Sequence, residues 1–451
     1  MTKAWQWIRR IPASVILALG WLWLVIYAFP GVMTMDSFDQ LREGREGVFS
    51  DAHPPIMAAL WGILDRIVAG PLPMLVIQST AFLGGTYLIL RRVFTPRAAA
   101  VAACALFIYP PVFCTLAVIW KDCLMAGALV LGIAGITSEQ RRLRIWGLVA
   151  LSVATALRYT ALAATLPLIV LLFEWQPGLR AVKRYAIATA TWLAVTVVAL
   201  GGNALLTDRE VHFWHASLGL QDIAGTLAFV DDDLPDSELE PLLGPTEITV
   251  HTSIHRAIRA QYKSDDFQQL ISGDGRIWDV PWYVPMPQAR RAAITHAWLT
   301  LVEQHPGAYL RYRLENFGET LGVNRRFGGV MVVSHRAQYK GMLEYFGFST
   351  SFLSVQQPVE DAFMWLARHT RLWRPHVYAL LALALLGLAI TWRQRDVIAF
   401  LLSGLFLELT MLVLGGTPDY RYSHWLVFTA CMAGVVLAAR RAAERRDHAS
   451  S

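Results

Sequence analysis

Four short polar segments carry residue types suited to chemistry on a phosphate. The first runs Met33-Thr34-Met35-Asp36-Ser37-Phe38-Asp39 and is followed by Asp51-Ala52-His53-Pro54-Pro55. Asp36 and Asp39 are three residues apart, so on a helical turn they share a face. A carboxylate at Asp36 either takes the proton of an attacking hydroxyl as a general base, or serves as a helix starter, a common use of Asp and Ser. His53 heads a stiff turn whose prolines fix the chain direction; it either binds a phosphate or satisfies a carbonyl. The second segment is Trp120-Lys121-Asp122, beyond the break at Pro110-Pro111. Lys121 beside Asp122 suits a phosphate together with a cation or hydroxyl, or else a boundary anchor, since Trp and Lys favour membrane interfaces. The third is Arg158-Tyr159-Thr160. The planar guanidinium fork of Arg158 matches a phosphate, and snorkelling to headgroups is the alternative. The fourth is Pro418-Asp419-Tyr420-Arg421-Tyr422.

The elements that must position these residues are apolar. Hydrophobic residues make up 55% of the 451-residue chain and charged residues 16%, where a soluble protein carries about a quarter charged. The mean hydropathy is +0.41. Stretches suited to a roughly 30 Å hydrocarbon core recur near 11–29, 73–90, 97–113, 122–137, 143–157, 160–173, 185–206, 376–392, 397–414 and 424–439. The expected fold is therefore an all-α polytopic membrane protein with about ten transmembrane helices. The first stretch ends in Tyr27-Ala28-Phe29-Pro30 rather than a small-residue cleavage site, so it reads as a span and not as a signal peptide. Eighteen basic residues fall on one set of connections, including Lys3, Arg9, Arg10 and the run from Arg440 to Arg446, against six on the other. The positive-inside rule then predicts cytoplasmic N and C termini. The net charge of +6 belongs to this asymmetry and gives no reason to expect nucleic acid as a partner.

The expected organisation has three parts: a seven-helix block over 1–206 with an outer catalytic loop at 30–70, an extracytoplasmic α-rich domain over 207–375, and a three-helix block over 376–451 with a basic cytoplasmic tail. The tail serves as a stop signal for the last helix or touches anionic lipid. The domain would lie between the seventh and eighth spans and contains Trp278, Trp282, Tyr283, Trp298, Tyr309 and Tyr312, the aromatic content of a folded unit. Within it, Arg290 to Phe317 predicts helix with an interruption at His305-Pro306-Gly307. Glu408, inside a span, is a candidate functional group or a partner for a neighbouring helix. The acidic run from Asp231 to Asp233, continuing through Asp236, Glu238 and Glu240, binds a divalent cation or is a solvated loop. Cys104, Cys114, Cys123 and Cys431 form neither a Cys-x-x-Cys pair nor a zinc-like spacing. No internal repeat and no phosphate-cradling glycine loop is evident, which argues against an ATP-driven transporter. All four polar segments fall on the outer face, which points to one shared site.

In the order of these features the chain resembles the GT-C superfamily of integral membrane glycosyltransferases, and is similar to protein mannosyltransferases and lipid A aminoarabinose transferases. The matching elements are a first span, an outer loop with Asp36, the return at His53-Pro54-Pro55, Lys121-Asp122, then Arg158, and Asp419-Tyr420-Arg421-Tyr422 before a final span. The resemblance implies transfer of a sugar from a polyprenyl-phosphate carrier at the outer face of the bacterial cytoplasmic membrane. It makes Asp36 the base and gives Asp122 either a divalent cation or the acceptor to orient; whether a metal takes part is left open. Lys121, Arg158 and Arg421 would neutralise the leaving phosphate, His53 would assist there, and Asp39, Tyr159, Asp419 and Tyr420 complete the substrate-binding set. Membrane lipids surround the site, and the acceptor is a glycan, a lipid or a protein. The alternative from another class is a lipid-linked saccharide flippase or other transporter, which needs charges in mid-span and inverted repeats.

Overall fold

The computed structural model describes residues 11–174, 178–280, 284–323, 332–333, 340–349 and 353–450. Lys3, Arg9, Arg10, Trp282 and Tyr283 lie outside the described residues. Among those described the chain is helical, with isolated bridges in place of strands.

The N-terminal half contributes α1 (Ala13–Ala28), α2 (Met35–Glu46), α3 (Pro55–Asp65), α4 (Leu72–Leu90), α5 (Pro96–Ile108), α6 (Pro110–Leu116), α7 (Lys121–Ile136), α8 (Arg141–Leu157), α9 (Ala161–Glu174) and α10 (Ala181–Leu206). After a π-helical turn at Trp214–Leu218 come α11 (Gly219–Ala228), α12 (Asp236–Leu243), α13 (Ile254–Gln261), α14 (Gln268–Ile271), α15 (Gln288–Gln304) and α16 (Pro306–Thr320). The chain ends with α17 (Lys340–Tyr345), α18 (Gln356–His369), α19 (Pro375–Thr391), α20 (Arg395–Leu414), a 3₁₀ turn at Tyr420–Ser423 and α21 (His424–Ser450). The break between α15 and α16 falls at His305, where Pro306 cannot continue the preceding hydrogen-bond ladder.

Helices stand at all ten apolar segments, but length and composition do not give ten spans. Among the described residues four stretches are long and apolar enough to cross a membrane: α4, α10, α20 and Tyr420–Arg446. The bent pair α5 and α6, meeting at 73°, would make a fifth. The other helices at apolar segments are 14–17 residues long. At about 1.5 Å per residue they fall short of a core roughly 30 Å thick. The segment expected as one span over 97–113 is broken at Tyr109, because the Pro110-Pro111 step disfavours helical backbone in the residue before it.

Large apolar side chains such as Leu19, Val197, Val198, Leu205, Leu383 and Ile390 face outward from these helices, as a lipid-facing surface requires. Inside, α7 packs on α4 and α8. A Cβ built on Gly135 would lie 2.6 Å from the Gly147 Cα, so glycine is what lets α7 and α8 touch backbone to backbone. A second hydrophobic core forms between residues 216 and 301, around Leu220, Ile223, Leu227, Ile254, Trp278 and Ile294. The 207–375 stretch therefore contributes side chains to two cores. Trp373, Ala367 and Val332 belong to the bundle core instead, since the apolar faces at the end of this stretch are buried against helices rather than against its own beginning.

Candidate functional site

Asp36 is positioned by the start of α2. Thr34 caps the helix, its amide donating to Ser37 Oγ at 3.0 Å, while the Ser37 hydroxyl donates to the Ile119 carbonyl at 2.7 Å. The Ile119 amide donates to the Val32 carbonyl at 2.9 Å, and the Trp120 indole donates to Thr34 Oγ1 at 2.8 Å. Buried Gln78 holds the same strap by donating to the Leu116 and Val118 carbonyls, both at 2.8 Å. The loops that carry Asp36 and Lys121 are thus one hydrogen-bonded unit, with the Asp36 carboxylate at the positive end of a helix dipole. His53 is placed by a second pairing, in which the Asp208 amide donates to the Phe49 carbonyl at 2.9 Å and the Asp51 carboxylate accepts from the His212 amide at 3.1 Å. Asn203 of α10 then fixes the entry to α3, accepting from the Ile56 amide at 3.3 Å and donating to the Ala156 carbonyl at 2.7 Å.

Between these elements lies a cavity of about 700 Å³. Its wall includes Asp36, Asp39, His53, Lys121, Arg158, Tyr159 and Arg421. The remaining expected site residues lie behind that wall. Asp122 is 1% exposed and ion-pairs with Arg158, so the guanidinium occupies the carboxylate expected to hold a cation or the acceptor. Asp419 caps the 3₁₀ turn, one oxygen accepting from the Arg421 amide at 3.1 Å and the other standing 3.1 Å from Arg421 Nε. Tyr420 is 2% exposed within the bundle core; the tight turn sends its ring inward and the Arg421 side chain to the cavity. Asp122 and Tyr420, both expected at the site, are thus buried and do not line the cavity.

The charges are arranged unevenly. Arg421 Nη1 donates to Asp36 Oδ2 at 2.7 Å, and its guanidinium lies over Trp120 at 4.9 Å and Tyr422 at 5.3 Å. Arg158 also lies over the Tyr422 ring, at 4.4 Å, and donates from Nε to Thr160 Oγ1 at 3.0 Å. The Lys121 ammonium donates to His53 Nδ1 at 2.8 Å. An ammonium can only donate, so Nδ1 is the acceptor and Nε2 carries the hydrogen of the neutral ring. Among the described residues no carboxylate lies within ion-pairing distance of Lys121, whereas Arg421 has both Asp36 and Asp419. The local excess of positive charge is at Lys121.

Burial would raise the Asp36 carboxyl, but the Arg421 guanidinium with its cationic neighbours outweighs this and holds it well below the usual carboxylate range. Burial pulls Lys121, just ahead of the apolar part of α7, down to about 7, with Asp36 opposing and the two arginines assisting. Burial, together with the charge on Lys121, pulls His53 down to about 3, so its imidazole is neutral and orients Lys121.

No group of three or more His, Cys, Asp or Glu side chains among the described residues is arranged to hold a metal ion. Asp122 is committed to Arg158, Asp36 to Arg421, and Asp39 to Arg42 at 2.9 Å. In the acidic run, Asp231 pairs with Arg311 at 2.9 Å and Asp233 with Arg256 at 2.8 Å. These side chains do not fit a divalent cation.

The wall also holds Phe213, Ser217, Leu218, Gln221, Asp265, Asp266, Phe267 and Gln268. They come from the middle stretch, where no motif marks them. Trp120 and Tyr422 stand next to residues that the sequence does single out, but their use as shelves for arginines depends on packing. No family model matches the chain, and no curated protein or solved structure matches it, so geometry and chemistry carry the functional reading.

Proposed function

We propose that the protein is a GT-C-like membrane glycosyltransferase. It would move a sugar from a polyprenyl-phosphate carrier to an acceptor hydroxyl at the outer face of the bacterial cytoplasmic membrane. In this reading the bundle has about ten membrane-embedded helices, the 207–375 stretch faces the outside, and both termini are cytoplasmic. The observation that supports it best is one cavity, beside an apolar bundle, that gathers Lys121, Arg158 and Arg421 around Asp36.

The donor phosphate goes first to Lys121, because that ammonium has no ion-paired carboxylate among the described residues to give up. As the phosphate also draws on Arg421, the Asp36 carboxylate loses part of the partner that suppresses its basicity. The base is then strongest when donor is present. The acceptor oxygen bonds to the anomeric carbon of the sugar while its proton passes to Asp36. The bond from that carbon to the phosphate oxygen breaks, and its electron pair leaves with polyprenyl phosphate. Asp36 returns its proton to water. Such a leaving group needs no strong general acid, and the three cations supply stabilisation where charge develops.

A transporter would carry ionisable groups along a path through the bundle. Instead, buried Glu408 accepts from Ser423 at 2.8 Å and Asp122 is held by Arg158, which favours the enzyme. Protein in liposomes should release polyprenyl phosphate from a polyprenyl-phosphate sugar, and Arg158→Ala should lower that release by about 10²–10³-fold, the range for removing one electrostatic stabiliser. Intact donor moved across the bilayer without release would contradict the proposal.

A further inference from the structure

We infer that the acceptor is a carbohydrate, held by the cavity wall that the middle stretch provides; this rests on the glycosyltransferase reading above. Gln221 on α11 lines the cavity and is 1% exposed, yet its side-chain amide nitrogen has no partner among the described residues. A buried N–H without an acceptor is costly, and a ligand oxygen would remove that cost. Asp265 and Asp266 line the same cavity and form no ion pair among the described residues; one Asp266 oxygen accepts only the Gln268 amide, at 3.1 Å. Phe213 and Phe267 add apolar rings to this wall.

The combination selects by chemistry. Carboxylates accept from hydroxyls, an amide N–H₂ donates to a hydroxyl oxygen, and a phenyl ring covers the C–H face of a sugar. A lipid acceptor would call for a continuous apolar channel in place of two carboxylates. A peptide would call for the edge of a strand to pair with, and no strand stands among the described residues. The donor phosphate and the acceptor sugar thus meet different walls of one cavity: Lys121, Arg158 and Arg421 for one, Gln221 with Asp265 and Asp266 for the other.

The test is equilibrium binding to the full-length protein in nanodiscs, using neutral di- and trisaccharides, a Ser/Thr-containing peptide, and polyprenyl phosphate as separate probes. At least one saccharide should bind. Gln221→Ala, and separately the pair Asp265→Asn with Asp266→Asn, should weaken it by about tenfold or more, leaving polyprenyl phosphate within about twofold of wild type. Because the two wall variants share no structural element, misfolding of one leaves the other to decide. Saccharide binding absent from wild type, unchanged in both folded variants, or replaced by peptide binding would overturn the inference. Equal loss of polyprenyl phosphate binding would overturn it too, by making this wall part of the donor site. Failure of wild type to bind polyprenyl phosphate would instead sink the donor reading, while the saccharide arm still decides this one.

Discussion

At the scale of single residues, the pairings matter more than the residue types. Asp36 is pinned by Arg421, which suppresses it as a base until something anionic competes for the guanidinium. Lys121, hydrogen-bonded to His53 and drawn down by burial, is a group whose charge changes near neutral pH. An ammonium is cationic below its pKa, so affinity for a donor phosphodiester, whose own charge is constant in this range, should be highest below about 7. It should fall as pH rises through that value. Titration of a non-hydrolysable donor analogue between pH 6 and 8.5 checks this, and Lys121→Arg should flatten the profile because a guanidinium stays protonated. The sequence exposes Asp36, His53, Lys121, Arg158 and Arg421 as polar groups at costly positions, and all five line one cavity. It does not reveal that Asp122 is spent on Arg158. That pairing depends on how the start of α7 packs against the end of α8, which residue types leave undetermined.

At the scale of elements, the site depends on helices brought unusually close. The Gly135–Gly147 contact sets the spacing of α7 and α8, and through them the relation of Lys121 to Arg158. Gly147→Ala would place a Cβ 2.5 Å from the Ile136 amide nitrogen. Overpacking of this kind should destabilise by about 1–3 kcal/mol, measurable as a lowered midpoint of thermal unfolding in detergent. Apolar runs predict a helix at each of the ten segments, and the ends of α15 and α16 follow from His305-Pro306. Helix length is less legible: a run of apolar residues marks burial in bundle or lipid alike, and several such helices are too short to cross a bilayer unaided. The short pair α2 and α3 escapes an apolar-window reading because α2 is polar, MDSFDQLREGRE, and its helicity comes from the capping at Thr34 and Ser37.

At the scale of the whole molecule, the second core and the bundle meet at the strap that leads to Arg421. Arg313 of α16 donates to the Gly415 carbonyl at 2.7 Å and pairs with Asp222 of α11 at 2.6 Å; Tyr312 and Trp298 also donate to Asp222, at 3.0 and 3.2 Å. Removing one member of a buried ion pair strands the other, so Asp222→Ala should cost about 3–5 kcal/mol. A lower unfolding temperature and reduced transfer are expected together, although Asp222 does not line the cavity. None of this is legible in the sequence, since a buried Asp–Arg pair has no local spacing and the middle stretch has no motif. The central claim is that Asp36 acts as the base of a sugar transfer from a lipid phosphate. The most direct measurement is movement of radiolabelled sugar from a polyprenyl-phosphate donor into membrane acceptors by wild type and by Asp36→Asn, with donor binding followed in parallel. We predict that the variant still binds donor and loses transfer by about 10²-fold or more, as expected for a missing general base. Equal transfer by both proteins would contradict the account.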